Sequence, residues 1–282
     1  MHVRVRRVVL WSPPRTLSTA LERCLIENDA IHVLHEPFGK PYYWGAEAKS
    51  DRENDSETQY TDTYASVAYD IFEALPPPGK RFVFSKNLSY YFSPHNLPAL
   101  GELLGGDWGR VHHSFMIRDP VKAISSLYYK SCVANEATGY AYFDKAEAGF
   151  TACWELLLHL ERQDGVPPIT IIDADDLLAD PESMMAAYCE ATGLPFDRSM
   201  LSWEPGCPPQ LESPWIGWTD DVTRSRGLLQ RLKPSPSAAL ALDVGALPSE
   251  VRDAINEARP IYAAMYKRAL RVKRPAEPTV VG

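Results

Sequence analysis

The order of segments along this chain predicts an α/β fold, a central parallel sheet of about five strands flanked by helices. Three observations carry the prediction. Short β-rich apolar runs alternate with stretches whose apolar residues recur at helical spacing, the pattern of strand–helix–strand units with right-handed crossovers. Several of those runs end in Ser, Pro, Arg, Asp or Glu rather than in more apolar residues. The 282 residues, 45% hydrophobic and 23% charged, fit one large globular domain with a sizeable core. We place that domain at residues 1–274 and a frayed C-terminal tail at 275–282.

The elements follow in order. Val3 to Trp11 is β-rich and stops at Ser12-Pro13-Pro14. Leu17, Leu21, Cys24 and Leu25 then mark an amphipathic helix, with Thr19 and Glu22 spaced as a capping box near its start. Ile31 to Leu34 is a second strand, closed by His35-Glu36-Pro37. Residues 38–56 read as a long irregular loop and about 57–74 as a helix stopped by three prolines. Arg81 to Lys86 and His112 to Ile117 are the third and fourth strands. Asp119 and Pro120 open a helix to about Lys130, as N-cap and first-turn proline. Ala146, Phe150, Cys153, Trp154 and Leu157 mark another long helix, and Ile169 to Ile172 the fifth strand. A helix from about Pro181 to Thr192 ends at Gly193. Residues 203–248 show little periodicity, and Val251 to Met265 form the last helix.

Charge and composition remove several function classes. The net charge of −8 gives no broad basic footprint for nucleic acid, so any anion site must be built locally. The five cysteines are odd in number and contain neither a CxxC pair nor zinc spacing, so we expect reduced thiols and no metal. The basic N-terminus runs straight into a strand pattern without a signal-type apolar region. No run approaches the roughly 18 apolar residues of a membrane span, and the expectation is a cytoplasmic protein.

Ligands of open α/β sheets sit beyond the carboxyl ends of the strands, which singles out residues 12–19, 35–37 and 118–126. In the first, backbone N–H groups at a helix start are joined by Arg15, Thr16, Ser18 and Thr19, a set suited to phosphate or sulfate. The loop lacks GxxxxGK[ST], which argues against ATP–Mg²⁺ chemistry. A helix-capping turn with a surface arginine is the structural alternative. In the last, Arg118 at a strand end and Ser126 two helical turns on can reach one phosphate; Arg118 pairing with a carboxylate is the alternative. Glu36 is the candidate base, with His35 second because a histidine titrates near neutral pH. Pro37 is expected to hold Glu36 extended, and strand neighbours point to opposite faces, so one of the two faces the site. A buried structural pair is the other reading of both. Tyr42-Tyr43-Trp44 lines an acceptor pocket or packs in the core.

These residues resemble the PAPS-dependent sulfotransferases, PAPS being 3′-phosphoadenosine 5′-phosphosulfate. Ser12 to Thr19 is similar to the family's 5′-phosphosulfate loop, which carries Pro14, Arg15, Thr16, Leu17, Ser18 and Thr19 as donor-binding residues. Arg118 and Ser126 match the 3′-phosphate motif, and Asp175 to Pro181 resembles the "YEDL…DP" segment. Thr223 to Gly227 sits where the family has a basic-glycine loop, implying Arg226 and Gly227 as further donor contacts. The His35-Glu36-Pro37-Phe38 run resembles a bacterial and plant branch that includes trehalose-type enzymes. The resemblance covers about residues 8–230. It implies a P-loop-containing nucleotide-binding-like fold and in-line sulfuryl transfer from PAPS to a hydroxyl or amine of a small-molecule acceptor, leaving adenosine 3′,5′-bisphosphate. It also implies that Lys86, at the end of the third strand, stabilises the bridging oxygen beside Arg15. The chain departs from the aryl-type pattern at Arg15 (there lysine), Ala20 (an adenine-stacking tryptophan) and Ala174 (the tyrosine of "YEDL"). The competing readings are a P-loop kinase-like phosphotransferase and a non-catalytic relative that binds a nucleotide or a partner.

Overall fold

The computed structural model describes residues 5–50, 52, 60–92, 96–136, 138–212, 214–215, 217–228 and 243–272. Strands β1 (Arg6–Ser12), β2 (Ile31–His35), β3 (Phe82–Leu88), β4 (His112–Ile117) and β5 (Thr170–Asp173) make one parallel sheet in the order β2-β3-β1-β4-β5. The helices are α1 (Ser18–Ile26), α2 (Gly39–Tyr43), α3 (Tyr64–Phe72), α4 (Leu97–Leu103), α5 (Pro120–Tyr128), α6 (Phe150–Glu161), α7 (Ala174–Ala179), α8 (Pro181–Thr192), α9 (Asp220–Thr223) and α10 (Ser249–Tyr266).

β1 explains why its sequence is a continuous apolar run. Val8 and Leu10 enter the core shared with α1 and α8, while Val9 and Trp11 enter the core shared with α3, α4 and α6. A strand buried on both faces has no polar side to alternate with. α5 and α10 pack on each other through Ala123, Ile124, Leu127, Val251, Ile255 and Ala258.

The sheet order positions the site. The chain leaves β1 toward β2 on one side and leaves β4 toward β5 on the other, so the connections diverge between the adjacent strands β1 and β4. A crevice opens at such a switch point. The loops flanking it carry Arg15 and Arg118.

Some local expectations need correction. α1 has no Thr19–Glu22 capping box: its N-cap is Leu17, with φ 64° and no side-chain cap, and Glu22 is turned toward β2 instead. The loop at 38–56 contains α2, and the helix expected over about 57–74 spans only Tyr64–Phe72, started by a Thr63–Ser66 capping box. Residues 53–59 lie outside the described residues. The helix after Asp119 changes at Tyr129–Val133 to a π turn. The long helix expected around 146–157 begins only at Phe150, because Gly149 takes φ 75° and breaks it. α4 and the short α7, capped by Asp173, were not visible as periodic segments. The expected tail at 275–282 lies outside the described residues.

Candidate active site

Arg15, Leu17 and Glu36 are the non-glycine residues with positive φ among the described residues, at 62°, 64° and 45°. Such conformations cost of order 1–3 kcal/mol each and persist only where the surroundings impose them. All three follow strand ends: Arg15 and Leu17 follow β1 at the switch point, and Glu36 follows β2 at the edge of the sheet. Arg15 and Leu17 bracket the buried Thr16, whose Oγ1 donates to the Pro13 carbonyl at 2.9 Å. Alternation of left-handed residues with an ordinary one turns successive N–H groups toward a common concavity, the backbone pattern of an anion nest. Gly149 abuts this loop; a Cβ there would lie 3.2 Å from Pro14 Cδ and 3.3 Å from Pro13 Cα, so the start of α6 holds the loop's back.

The two arginine segments meet. Arg118 Nη1 donates to the Arg15 carbonyl at 3.0 Å, and Arg15 Nε donates to Ser126 Oγ at 3.1 Å. Arg15 also reaches the Trp218 carbonyl at 3.0 Å and Asp221 Oδ2 on α9 at 3.0 Å. Burial lowers the Arg118 pKa, opposed by the charge of Asp175. Its Nε is buried without a hydrogen-bond partner, as are Ser12 Oγ and Ser125 Oγ. Buried donors without partners are uncommon and fit a group that accepts several hydrogen bonds.

At the next strand ends, Glu36 meets Lys86. β2 and β3 pair so that His35 lies level with Lys86, and the Glu36 N–H donates to the Lys86 carbonyl at 2.7 Å. Lys86 Nζ donates to Glu36 Oε1, and Tyr91 Oη donates to Glu36 Oε2 at 2.5 Å. Glu36 is not extended as its neighbour Pro37 suggested. Its carbonyl accepts from the Gly39 N–H at 2.8 Å, closing a turn, and the two side-chain anchors hold the resulting left-handed backbone. Burial pushes the Glu36 carboxyl up, but the charges of Lys86 and His35 and the bonds from Lys86 and Tyr91 outweigh it and keep it below the ordinary value. His35 turns to α1, where its Nδ1 lies 2.7 Å from Glu22 Oε2.

An aromatic basin adjoins Glu36. Tyr43, Tyr90, Tyr91, Trp44 and Trp215 are buried and in mutual ring contact. Gly39 allows it: a Cβ there would sit 2.6 Å from Trp215 Cζ2 and 2.9 Å from Tyr91 Oη. Its outer side carries Glu147, whose two carboxylate oxygens both accept from Arg52 Nε at 2.8 Å. The Arg52 guanidinium lies 3.9 Å from the Tyr142 ring centroid and 4.5 Å from that of Tyr140. Burial raises the Glu147 pKa despite Arg52.

The structure thus joins the loop of Pro14, Arg15, Thr16, Leu17, Ser18 and Thr19 to Arg118 and Ser126 after the ends of β1 and β4, and Glu36, after the end of β2, to Lys86 near the end of β3. It does not bring Arg226 there: Nη1 of that exposed side chain meets Glu204 Oε2 at 3.1 Å, and Gly227 makes a β-bridge with Ser202. Tyr91, Glu22 and the Arg52–Glu147 pair escaped sequence reasoning; a tyrosine following the end of a strand was the available signal for Tyr91. Among the described residues no group of His, Cys, Asp or Glu is arranged to hold a metal, and no helix is long and apolar enough to cross a membrane.

A family profile described as "Sulfotransferase domain" matches residues 6–269. "Branched-chain-amino-acid aminotransferase-like protein 2" of Arabidopsis thaliana is 29% identical over 219 residues, 77% of this chain and 35% of that protein, so the chain spans about a third of that relative's length. Among solved structures, a sulfotransferase from Alicyclobacillus acidocaldarius aligns with a TM-score of 0.52 at 13% identity, over 95% of this chain and 97% of the other. The sulfotransferase domain of the Synechococcus PCC 7002 olefin synthase aligns with a TM-score of 0.52 at 16% identity, over 91% and 94%. At such identities the two structures share the fold with this chain.

Proposed function

The chain belongs to the sulfotransferase family, and from that premise we propose that it moves a sulfuryl group from PAPS to a hydroxyl or amine of a small-molecule acceptor. The observation that carries this reading is the junction of the two arginine segments, Arg118 on the Arg15 carbonyl and Arg15 on Ser126 Oγ, at the switch point of the sheet. That junction offers a backbone nest and two guanidinium groups, one with its buried Nε unpartnered, which suits a ligand with two separated phosphate-like ends.

When bound, the donor supplies an electrophilic sulfur joined through a bridging oxygen to its 5′-phosphate. The N–H groups of residues 15–19 and the Arg15 side chain hold that phosphate end, and Arg118 with Ser126 holds the 3′-phosphate. Arg15 gives up Asp221 to do so. Glu36 takes the proton of the acceptor as the acceptor oxygen or nitrogen bonds to sulfur and the bond from sulfur to the bridging oxygen breaks. Proton uptake neutralises Glu36 and frees the ammonium of Lys86 from its pair while negative charge gathers on the leaving oxygen. Tyr43, Tyr90 and Trp215 offer the acceptor an apolar wall with phenol donors.

The test is calorimetric titration with adenosine 3′,5′-bisphosphate, using ATP plus Mg²⁺ as control. Binding of the bisphosphate alone is expected; binding of ATP alone overturns the reading. Arg118→Ala should weaken bisphosphate binding by about 1.5–3 kcal/mol, the worth of a charge-assisted contact. Glu36→Gln should lower turnover by about 10²-fold with bisphosphate affinity retained.

A further inference from the structure

Glu36 has two oxygens and two donors, and the second donor has no part in the scheme above. Tyr91 lies on the 3₁₀ turn Ser89–Tyr91 that continues β3, so the segment that delivers Lys86 to one oxygen delivers a phenol to the other. Its placement is heavily determined. The side chain is buried, its carbonyl accepts from Tyr64 Oη at 2.8 Å, and its hydroxyl lies over Gly39, where a Cβ would come within 2.9 Å. Toward Glu36 the phenol is the donor. Burial first, and the charge of Glu36 second, push its pKa well above the ordinary tyrosine value, so it does not itself take a proton from an acceptor.

We infer that Tyr91 is a positioning residue for Glu36: it pins Oε2, prevents the carboxylate from turning both oxygens onto Lys86, and so keeps a lone pair directed at the incoming acceptor. A carboxylate has about four lone-pair sites. Lys86 and Tyr91 each use one, and fixing two of them on different oxygens fixes the plane and thus the direction of the rest. Without the phenol, the flexible lysine ammonium is free to take both oxygens. The inference rests on Glu36 acting as the base.

The groups that act on Glu36 are Lys86, His35 and Tyr91, and those on Tyr91 are Glu36, Tyr43 and Tyr140. Tyr91→Phe removes one oxygen and leaves the others. Turnover with a working acceptor is expected to fall about tenfold or more. The acidic limb of the pH–rate profile should move to higher pH, because the ionised form of Glu36 loses a donor. Affinity for adenosine 3′,5′-bisphosphate should not change. A structural role alone would lower the melting temperature and leave the acidic limb in place, which overturns the inference. If Tyr91→Phe does not fold, 3-fluorotyrosine at position 91 serves instead: a more acidic phenol is a stronger donor and should move the limb to lower pH, and an unmoved limb again overturns the inference. Glu36→Gln separates the two failures. Full activity there removes the base assignment itself, whereas an inactive Glu36→Gln beside a Tyr91→Phe enzyme with wild-type turnover and limb removes Tyr91 alone.

Discussion

Lys86→Met puts the Glu36–Lys86 pair to a thermodynamic test that needs no substrate. The Lys86 side chain is 2% exposed and that of Glu36 12%, so the pair is largely withdrawn from water. Removing one partner of such a pair leaves an uncompensated buried charge and typically costs about 3–5 kcal/mol. Tyr91 still donates to Oε2, which places the expected loss near 3 kcal/mol, about 6–12 °C in melting temperature for a chain of this size. Methionine fills most of the lysine's volume, so little of the loss is a cavity. Glu36→Gln alone strands the ammonium, while the double variant strands nothing. Urea unfolding of the four proteins should therefore give a coupling of more than 1 kcal/mol. The pH dependence has a definite sign. In the wild type the Glu36 pKa is lowered on folding, so its stabilisation is present above the unfolded value near 4.3 and is lost as pH falls through the folded value. In Lys86→Met burial prevails and raises the folded pKa, so stability falls as pH rises through it. The deficit of the variant should thus be largest at neutral pH and shrink in acid, and contributions from other titrating groups cancel in the difference. Coupling below about 0.5 kcal/mol, or a deficit independent of pH, would refute the reasoning.

Two other perturbations follow from the same geometry. Gly39→Ala drives a Cβ to 2.6 Å from Trp215 and 2.9 Å from Tyr91 Oη; overpacking of this kind costs about 1–3 kcal/mol, and activity should fall with it as the phenol leaves Glu36, so a variant with wild-type melting temperature and turnover would count against the packing described. Burial holds the His112 pKa near 4 and the His113 pKa near 3, so the unfolded chain binds protons near pH 6.5 that the folded chain refuses; stability should decline as pH drops below 6.5, by up to about 1.4 kcal/mol per pH unit for each histidine, and unfolding at pH 5.5 without proton uptake would contradict this.

What could be read from the sequence follows the range of the interaction that decides it. The strands were legible because β1, β3 and β4 carry their burial in consecutive residues, and the proposed phosphate loop stood out because a strand end, a proline pair and an arginine are neighbours in the chain. The α4 and α7 segments were not, since helices of seven and six residues hold too few turns to show a period. Thr19 and Glu22 have capping spacing, but the loop spends its geometry on the left-handed residues at 15 and 17, and Glu22 lies level with His35, a contact that exists only once β2 is paired. Tyr91 and the Arg52–Glu147 pair likewise join positions 55 and 95 residues apart.

Glu36 shows the same division most sharply. The chemistry of His35-Glu36-Pro37 pointed to the residue, while the rule for a residue preceding proline gave the wrong backbone. That failure is informative. A local preference gives way where tertiary contacts outweigh it, and here those contacts are Lys86, Tyr91 and the turn to Gly39, each of which acts on the carboxylate or on the peptide that carries it. Arg15 and Leu17 likewise take left-handed backbone at the end of β1, where the proposed anion nest lies. Natural sequences are locally consistent where folding alone is at stake and depart from consistency at functional sites. The three departures at residues 15, 17 and 36 fall at the ends of β1 and β2, where the motifs also fall, and so support the proposed site independently of any motif.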